Sequence, residues 1–362
     1  MDAFFPAVEE RENPQFRGMP IVVGADPKKG KGRGVVSSAS YKARRFGVKS
    51  GMPISRAYQL CPDAIFLPVN MRLYQEVSEK IMRLIKKYSP KWEMAGLDEA
   101  YLDLSHLIFC PPNQRSLILA TRKLLKEGYK KAEALAEKLK KEIFKKEKIT
   151  ATCGIGPNKL IAKMASEKAK PNGLLIIKPN QVKNFLEPLD IQNLPGIGPK
   201  TAERLRKLGI NTIKELKKLS KPELQNLFGK VGENIYEKVR GIDKEEVSSE
   251  EIIKSIGKEH TFERDTRDSE IIFGTFENII EDVYQELLNN KFFFKTITVI
   301  CRYQGFETHT KSKTLDKPTQ DSEILKKESK KLLLKFLIEK PKLIRLIGLR
   351  ISSLQNIRAK EP

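Results

Sequence analysis

Apolar residues recur at two different spacings along this chain, and the switch between them outlines its elements. Leu73, Val77, Ile81 and Leu84 fall three and four apart within residues 71–88, which predicts an amphipathic helix. Pro20-Ile21-Val22-Val23-Gly24 is a short apolar run closed by glycine and predicts a buried strand. Val35 to Arg45 opens with a β-branched pair and then turns helical. After Gly96-Leu97-Asp98-Glu99, the order Ala100-Tyr101-Leu102-Asp103-Leu104 alternates as a strand does. Residues 115–147 read as a long Lys-rich helical stretch with a break expected at Gly128, and Ile149 to Ile155 as a strand. Residues 158–240 read as wholly helical, joined by short Gly/Pro turns. Residues 241–253 are acidic and weakly apolar, the composition of a solvated tether. Beyond them, strands at Thr296–Tyr303 and Leu343–Ser352 alternate with helices over 274–289 and 321–338. The order β-α-β-β-α-β suits a small α+β domain.

A chain of 362 residues exceeds one compact core and suggests two to four domains. No apolar run approaches the roughly 20 residues needed to span a bilayer. No signal peptide opens the sequence, and a cytoplasmic location is expected. Cys61, Cys110, Cys153 and Cys301 lie far apart, as reduced thiols do, and His106, His260 and His309 are scattered, against a zinc site or a histidine-based hydrolase.

Charge changes the picture more. Lys plus Arg number 68 against 46 Asp plus Glu, a net of +22, which favours a polyanionic partner, although a lysine-rich solvated surface gives the same sum. Residues 1–240 hold 46 basic and 25 acidic side chains, residues 241–290 hold 5 and 14, and residues 291–362 hold 17 and 7. One acidic block therefore interrupts two basic regions.

Asp98-Glu99 is an adjacent carboxylate pair flanked by apolar residues. Neighbours on a flat strand point to opposite faces, so both acids serve one site only at a strand start or turn, which Gly96 permits. Most such pairs are merely exposed. Likewise Phe5 read alone is a core residue and Arg44 a solvated one.

Four blocks alter that weighing. Gly96-Leu97-Asp98-Glu99-Ala100-Tyr101-Leu102-Asp103 resembles the Y-family DNA polymerase signature around its two adjacent catalytic acids. Met1-Asp2-Ala3-Phe4-Phe5 with Val8-Glu9 is similar to that family's first block, and Ser40-Tyr41-Lys42-Ala43-Arg44-Arg45-Phe46-Gly47-Val48 to its triphosphate-binding segment. Gly154-Ile155-Gly156-Pro157-Asn158-Lys159-Leu160, leading to Ala169-Lys170-Pro171-Asn172-Gly173, is similar to a further one. The blocks follow the family's order over nearly the whole chain, and the resemblance is to the polymerase IV type.

The resemblance implies an α+β multidomain, right-hand polymerase. Its ferredoxin-like palm would take residues 1–11 and 71–166, and small fingers 12–70. A helical thumb with a helix-hairpin-helix would follow at 167–240, an acidic linker at 241–253, a βαββαβ little finger at 254–355 and a tail at 356–362. Asp98 and Glu99 would be catalytic and hold two Mg²⁺ ions, with the Met1 backbone carbonyl as a further ligand. Phe5 would be the steric gate beneath the sugar, and Tyr41, Arg44 and Lys159 would bind the triphosphate. Tyr41 and Arg44, three apart on a helix, share a face, and arginine suits bidentate phosphate contact. The reaction implied is template-directed addition of dNTP to a primer 3′-hydroxyl for translesion synthesis, at low fidelity and without proofreading, by a monomer.

The sequence also departs from the pattern. The family's first block opens with an apolar strand ending in a third catalytic Asp just before the position of Met1, and the sequence as written carries neither. Asp2 matches a second, non-catalytic aspartate. The expectation is a misassigned start, with activity severely reduced in the chain as written; a degenerate, non-catalytic DNA-binding protein is the alternative. Gly96 stands where Ser is usual, Pro6 follows the gate, and residues 105–131, with Pro111-Pro112, lengthen one connection.

For DNA, Leu194-Pro195-Gly196-Ile197-Gly198-Pro199-Lys200-Thr201-Ala202 resembles a helix-hairpin-helix turn, where glycines admit phosphates to backbone amides. Gly196, Gly198, Lys200 and Thr201 are the expected contacts, with Arg204, Arg206 and Lys207 nearby, and Gly229-Lys230-Val231-Gly232-Glu233-Asn234 reads equally as a weaker second copy or as a plain turn. In the little finger Lys295, Arg302, Lys311, Lys313, Lys342, Arg345 and Arg350 would track the backbone. A sliding clamp is a possible partner, yet the tail from Leu354 lacks the aromatic pair of a clamp motif.

Overall fold

The structure is a computed structural model that describes residues 1–107, 118–250 and 253–356. Cys110, Pro111-Pro112 and the tail beyond Asn356 lie outside the described residues. The chain forms two compact units, Met1–Glu250 and Glu251–Pro362.

The first unit opens on α1 (Phe4–Glu12), which buries Phe4, Pro6 and Val8. Next come β1 (Ile21–Gly24), β2 (Val36–Ala39), α2 (Tyr41–Arg45), α3 (Ile54–Leu60) and β3 (Ile65–Leu67). These strands make a small sheet, β2-β1-β3, in which β1 runs antiparallel to β2 and parallel to β3. The expected helix at 71–88 is α4 (Met71–Ile85), started by the Asn70 side chain, which accepts from the Leu73 amide. A hairpin follows, β4 (Trp92–Gly96) and β5 (Glu99–Leu102), then α5 (Ile118–Glu147), β6 (Cys153–Ile155), α6 (Lys159–Ala169) and β7 (Leu174–Ile176). The helical remainder is α7 (Val182–Leu186), α8 (Pro199–Lys207), α9 (Ile213–Leu216), α10 (Lys221–Phe228) and α11 (Lys230–Lys238).

Two expectations are corrected here. No break occurs at Gly128, because α5 runs through it. An interior glycine costs about 1 kcal/mol against alanine, and the buried stripe Tyr129, Ala132, Ala136, Leu139 and Ile143 outweighs it. Nor is 158–240 wholly helical, since β7 pairs in parallel with β6. The run Leu174 to Ile177, bounded by Gly173 and Pro179, is long enough for a strand and too short for a buried helix.

One core lies between α4, α5 and the hairpin, and contains Tyr74, Val77, Ile81, Leu139 and Ile143, with Ala100 and Leu102 against it. A second runs from Leu160 and Ile161 on α6 through Phe185, Leu205 and Leu224 to Val239, so α6 shares its core with α7–α11 across the expected 166/167 boundary.

In the second unit β8 (Ser255–Thr266), α12 (Ser269–Asn289), β9 (Phe292–Tyr303), β10 (Thr308–Thr319), α13 (Ser322–Glu339) and β11 (Ile344–Ser352) follow the βαββαβ order. A short β12 (Gln355–Asn356) pairs with β9. The antiparallel sheet order is β10-β9-β11-β8. Helices α12 and α13 bury Phe276, Val283 and Leu333 against Ile297, Val299, Cys301, Leu349 and Ile351. Strand alternation therefore turns Thr298, Ile300, Arg302 and Arg350 to the other face.

Candidate active site

The carboxylate pair occupies the kind of position its chemistry needs. Asp98 sits in the turn between β4 and β5, and Glu99 is the first residue of β5. Ser78 on α4 fixes that turn by donating to the Leu97 carbonyl at 2.5 Å. Ala100 and Leu102 face the core, so Glu99 and Tyr101 share the opposite face. Both acids are a little over one-third exposed. The Met1 nitrogen donates to the Asp98 carbonyl and lies 3.9 Å from Oδ2.

Across from the pair stands α6, whose Lys159 and Lys163 are one turn apart. Lys163 Nζ donates to Glu99 Oε1 and lies 3.3 Å from Glu167. Lys159 Nζ donates to both oxygens of Glu93 at 2.8 Å and sits over the Tyr101 ring. Burial pulls both ammonium groups down, but the hydrogen bonds and negative charges of the surrounding carboxylates together outweigh it and leave them above the usual lysine range. A cavity of about 620 Å³ is lined by Met1, Asp98, Glu99, Lys159 and Lys163, among others. On one side it is bounded by β5 and on the other by β6. Among the described residues these strands pair only with β4 and β7, so their facing edges are open.

Tyr41 and Arg44 form a unit on α2. Ser40 caps that helix, accepting from Ala43 at 3.3 Å and from Ile21 at 2.9 Å. The Arg44 guanidinium stacks 4.9 Å from the Tyr41 ring centre and donates to the Ala39 carbonyl. The Tyr41 hydroxyl is buried with no hydrogen-bond partner. Burial, then the charge on Asp2, raises its pKa, with Glu167 adding to the effect. Glu167 is also held by Lys163, which bonds Glu99. Phe5 stacks on Tyr74, ring centres 4.2 Å apart, and Tyr74 donates to Glu9 at 2.6 Å. Phe5, Tyr41 and Arg44 are not in the wall of the 620 Å³ cavity.

Asp2 is occupied structurally. It is buried, accepts from Thr152 Oγ1 at 2.7 Å and from the Asn172 amide at 3.0 Å, and its own amide donates to Thr150. Among the described residues no group of three or more His, Cys, Asp or Glu is arranged to hold a metal ion. Lys163 is the contact that the sequence reading passed over. Its i,i+4 relation to Lys159 was the available signal.

The acidic tether is mostly exposed, as its composition suggested, and it also touches the rest of the first unit: Asp243 accepts from the Leu160 amide, and Glu246 pairs with Lys91. Gly196 (φ 100°) turns the chain into α8, with Gly198 as its N-cap and Lys200 and Thr201 in its first turn. Gly229 (φ 61°) turns α10 into α11, where a Cβ on Gly232 would meet the Leu224 carbonyl at 2.0 Å, so close helix packing needs that glycine. In the second unit Arg302 donates to Thr308, Arg350 is exposed on the uncovered face, and Lys295 is half-exposed. Arg345 lies over the Phe306 ring. Lys311 and Lys342 are ion-paired to Glu339 and Glu307. Lys311 and Lys313 pair with Val299 and Ile297, which puts them on the helix-covered side.

Residues 1–167 match the impB/mucB/samB family and residues 253–361 that family's C-terminal domain, while residues 192–243 match the thumb domain of DNA polymerase-iota. The chain is 39% identical over 356 residues to DNA polymerase IV 2 of Methanosarcina mazei, covering 98% of this chain and 91% of the relative. It is 42% identical over 356 residues to DNA polymerase IV of Methanoculleus marisnigri, covering 98% and 93%. The solved Y-family DNA polymerase chimera Dbh-Dpo4(243-245)-Dbh matches with a TM-score of 0.84 at 34% identity, covering 98% of this chain and 97% of that one. The insertion ternary complex of Dbh DNA polymerase matches with a TM-score of 0.62 at 33% identity, with the same coverage. The chain belongs to the Y family of DNA polymerases, in its polymerase IV group. Its activity is that of a DNA-directed DNA polymerase of the translesion class, and the family is metal-dependent.

Proposed function

We propose that this chain extends a primer on a DNA template by nucleotidyl transfer at Asp98 and Glu99, with Mg²⁺ as the metal, two ions per site, low fidelity and no proofreading. The observation that carries the reading is the adjacent acid pair facing two lysines across one cavity. Carboxylate oxygens suit a hard divalent cation, so Asp98 and Glu99 fit it once Lys163 swings from Glu99. Such an ion would lower the pKa of the primer hydroxyl and neutralise the leaving pyrophosphate. The protein's own part is positioning. Lys163, freed from Glu99, offers a cation to the triphosphate, and Lys159 offers another once Glu93 releases it. Arg44 adds a fixed guanidinium, and the unpartnered Tyr41 hydroxyl donates to a phosphate oxygen at no cost in broken bonds. Phe5, held flat on Tyr74, would present a rigid ring to the sugar as the steric gate.

For DNA, the Gly196–Gly198 turn with Lys200 and Thr201 would take a backbone phosphate, and Lys295, Arg302, Arg345 and Arg350 would follow the strand in the second unit. A sliding clamp would engage another surface than the tail. The enzyme would act as a cytoplasmic monomer.

The rival reading is a DNA-binding protein without the chemistry, and what favours it is Asp2, whose oxygens are both taken by Thr152 and Asn172. Single-turnover primer extension decides, using the chain as written, a form extended by its upstream in-frame codons, and Asp98→Ala of each. Asp98→Ala should cost on the order of 10³-fold with an unchanged thermal midpoint. No extension by any form, with DNA binding intact, selects the rival. Normal family rates from the chain as written overturn the expected loss of activity.

A further inference from the structure

The acidic stretch after Gly241 is the feature of the sequence that the polymerase reading leaves without a task. Its root is fixed by polar contacts with the start of α6. Asn158 Nδ2 donates to the Gly241 carbonyl at 2.8 Å, and the Leu160 amide donates to Asp243 Oδ2 at 2.9 Å. Its tip is fixed by charge. Glu246 accepts from Lys91 Nζ at 2.8 Å, and Glu245 lies 3.6 Å from Lys159 Nζ. Glu93 joins the two sides, accepting from Lys159 and, at 3.0 Å, from the Ser248 amide. The two ends differ in strength. Glu245 and Glu246 are 76% and 80% exposed, so each tip pair is weak and is screened by salt. Lys91 has Asp103 as a second, longer partner at 3.9 Å. Residues Asp243 to Val247 line the same cavity as Asp98 and Glu99.

We propose that residues 243–248 are an acidic strap that competes with nucleic-acid phosphate for Lys91 and Lys159. In the free protein the two glutamates hold these lysines beside the site. A DNA backbone offers a denser line of negative charge and gains from counterion release, so it displaces the tip while the Asp243 root stays. The tether is then a reporter of DNA occupancy, docked when the site is empty and released when it is filled. The proposal rests on the polymerase reading in one respect: it takes DNA as the competing polyanion.

The test uses the full chain. Amide hydrogen exchange at 244–248, chiefly at Ser248 whose amide donates to Glu93, should be about two- to fivefold slower in the free protein than with primer–template bound. Glu245→Gln with Glu246→Gln should bind primer–template about three- to tenfold more tightly at about 50 mM salt, with the gain vanishing near 0.5 M. Removing an exposed acid pair elsewhere, Glu281→Gln with Asp282→Gln on α12, controls for general electrostatics and should give less than half that gain. Equal tightening by the control, or slow exchange that DNA leaves unchanged, overturns the strap. Heparin is the second competitor. Release by heparin but not by DNA overturns DNA as the competitor, while the polymerase reading, which gives Lys159 to the triphosphate, is judged by primer extension. Release by neither overturns the strap alone.

Discussion

In the second unit four long strands share one continuous ladder, whereas in the first the strands beside Asp98 and Glu99 stand as two separate pairs. The continuous sheet buries its apolar face under α12 and α13 and leaves the other face rich in hydroxyls, where Thr298 meets Ser312 and Thr296 meets Thr314. The interrupted sheet leaves a cavity at the break, and the reactive side chains gather on it: two acids, two lysines and the strap. The difference is one of division of labour. Unbroken pairing gives a rigid surface suited to sequence-independent contact, since hydroxyls and arginines meet phosphates without reading bases. A break in pairing frees space and puts polar groups at strand ends, where adjacent acids turn to one site.

Three measurements would break or sharpen that comparison. The largest effect is expected from one substitution made in both units. Leu333→Ala, in the fully packed second core, should cost about 4 kcal/mol, while Leu139→Ala, on the cavity wall, should cost about 2 kcal/mol because it already lacks neighbours on one side. Denaturant titration reads both, and equal costs would remove the contrast. A smaller effect is expected on the open face. Arg302→Ala with Arg350→Ala should weaken DNA binding roughly tenfold at about 100 mM salt and reduce the slope of log K against log salt by about 2. An unchanged slope would mean that this face does not meet phosphate.

The smallest effect concerns acid. Glu246 has its pKa lowered by the Lys91 hydrogen bond, so the docked strap is favoured above the ordinary carboxylate value of about 4.3 and is lost as pH falls through the lower, docked-state value. Exchange at 244–248 should therefore be flat from about pH 5 to 8, once corrected for intrinsic rates, and quicken only below about 4. A midpoint near neutrality would point to another group.

Much was legible from residue order alone. The spacing of Leu73, Val77, Ile81 and Leu84 predicted α4, and the βαββαβ order of the second unit followed from its alternating patterns. Helical period and strand alternation are local properties, and local sequence carries them. The glycine before Asp98 allowed a turn, and the turn is there. By contrast, nothing near Gly128 announced that burial of Tyr129 and Ala132 would carry α5 through it, and nothing near Leu174 announced a partner in β6.

What the sequence by itself determined is the chemistry available: an acid pair, a Tyr-Arg pair on one short helix, two lysines one turn apart, and an acidic stretch between basic regions. Only the tertiary structure decided which of these meet. It gave Lys163 rather than Lys159 to Glu99, spent Asp2 on Thr152 and Asn172, and laid the acidic tether on Lys91. The physical reason is range. Helix and strand propensity act over a few neighbouring residues, whereas a salt bridge across 64 or 155 positions exists only after the core has brought its two ends within about 4 Å.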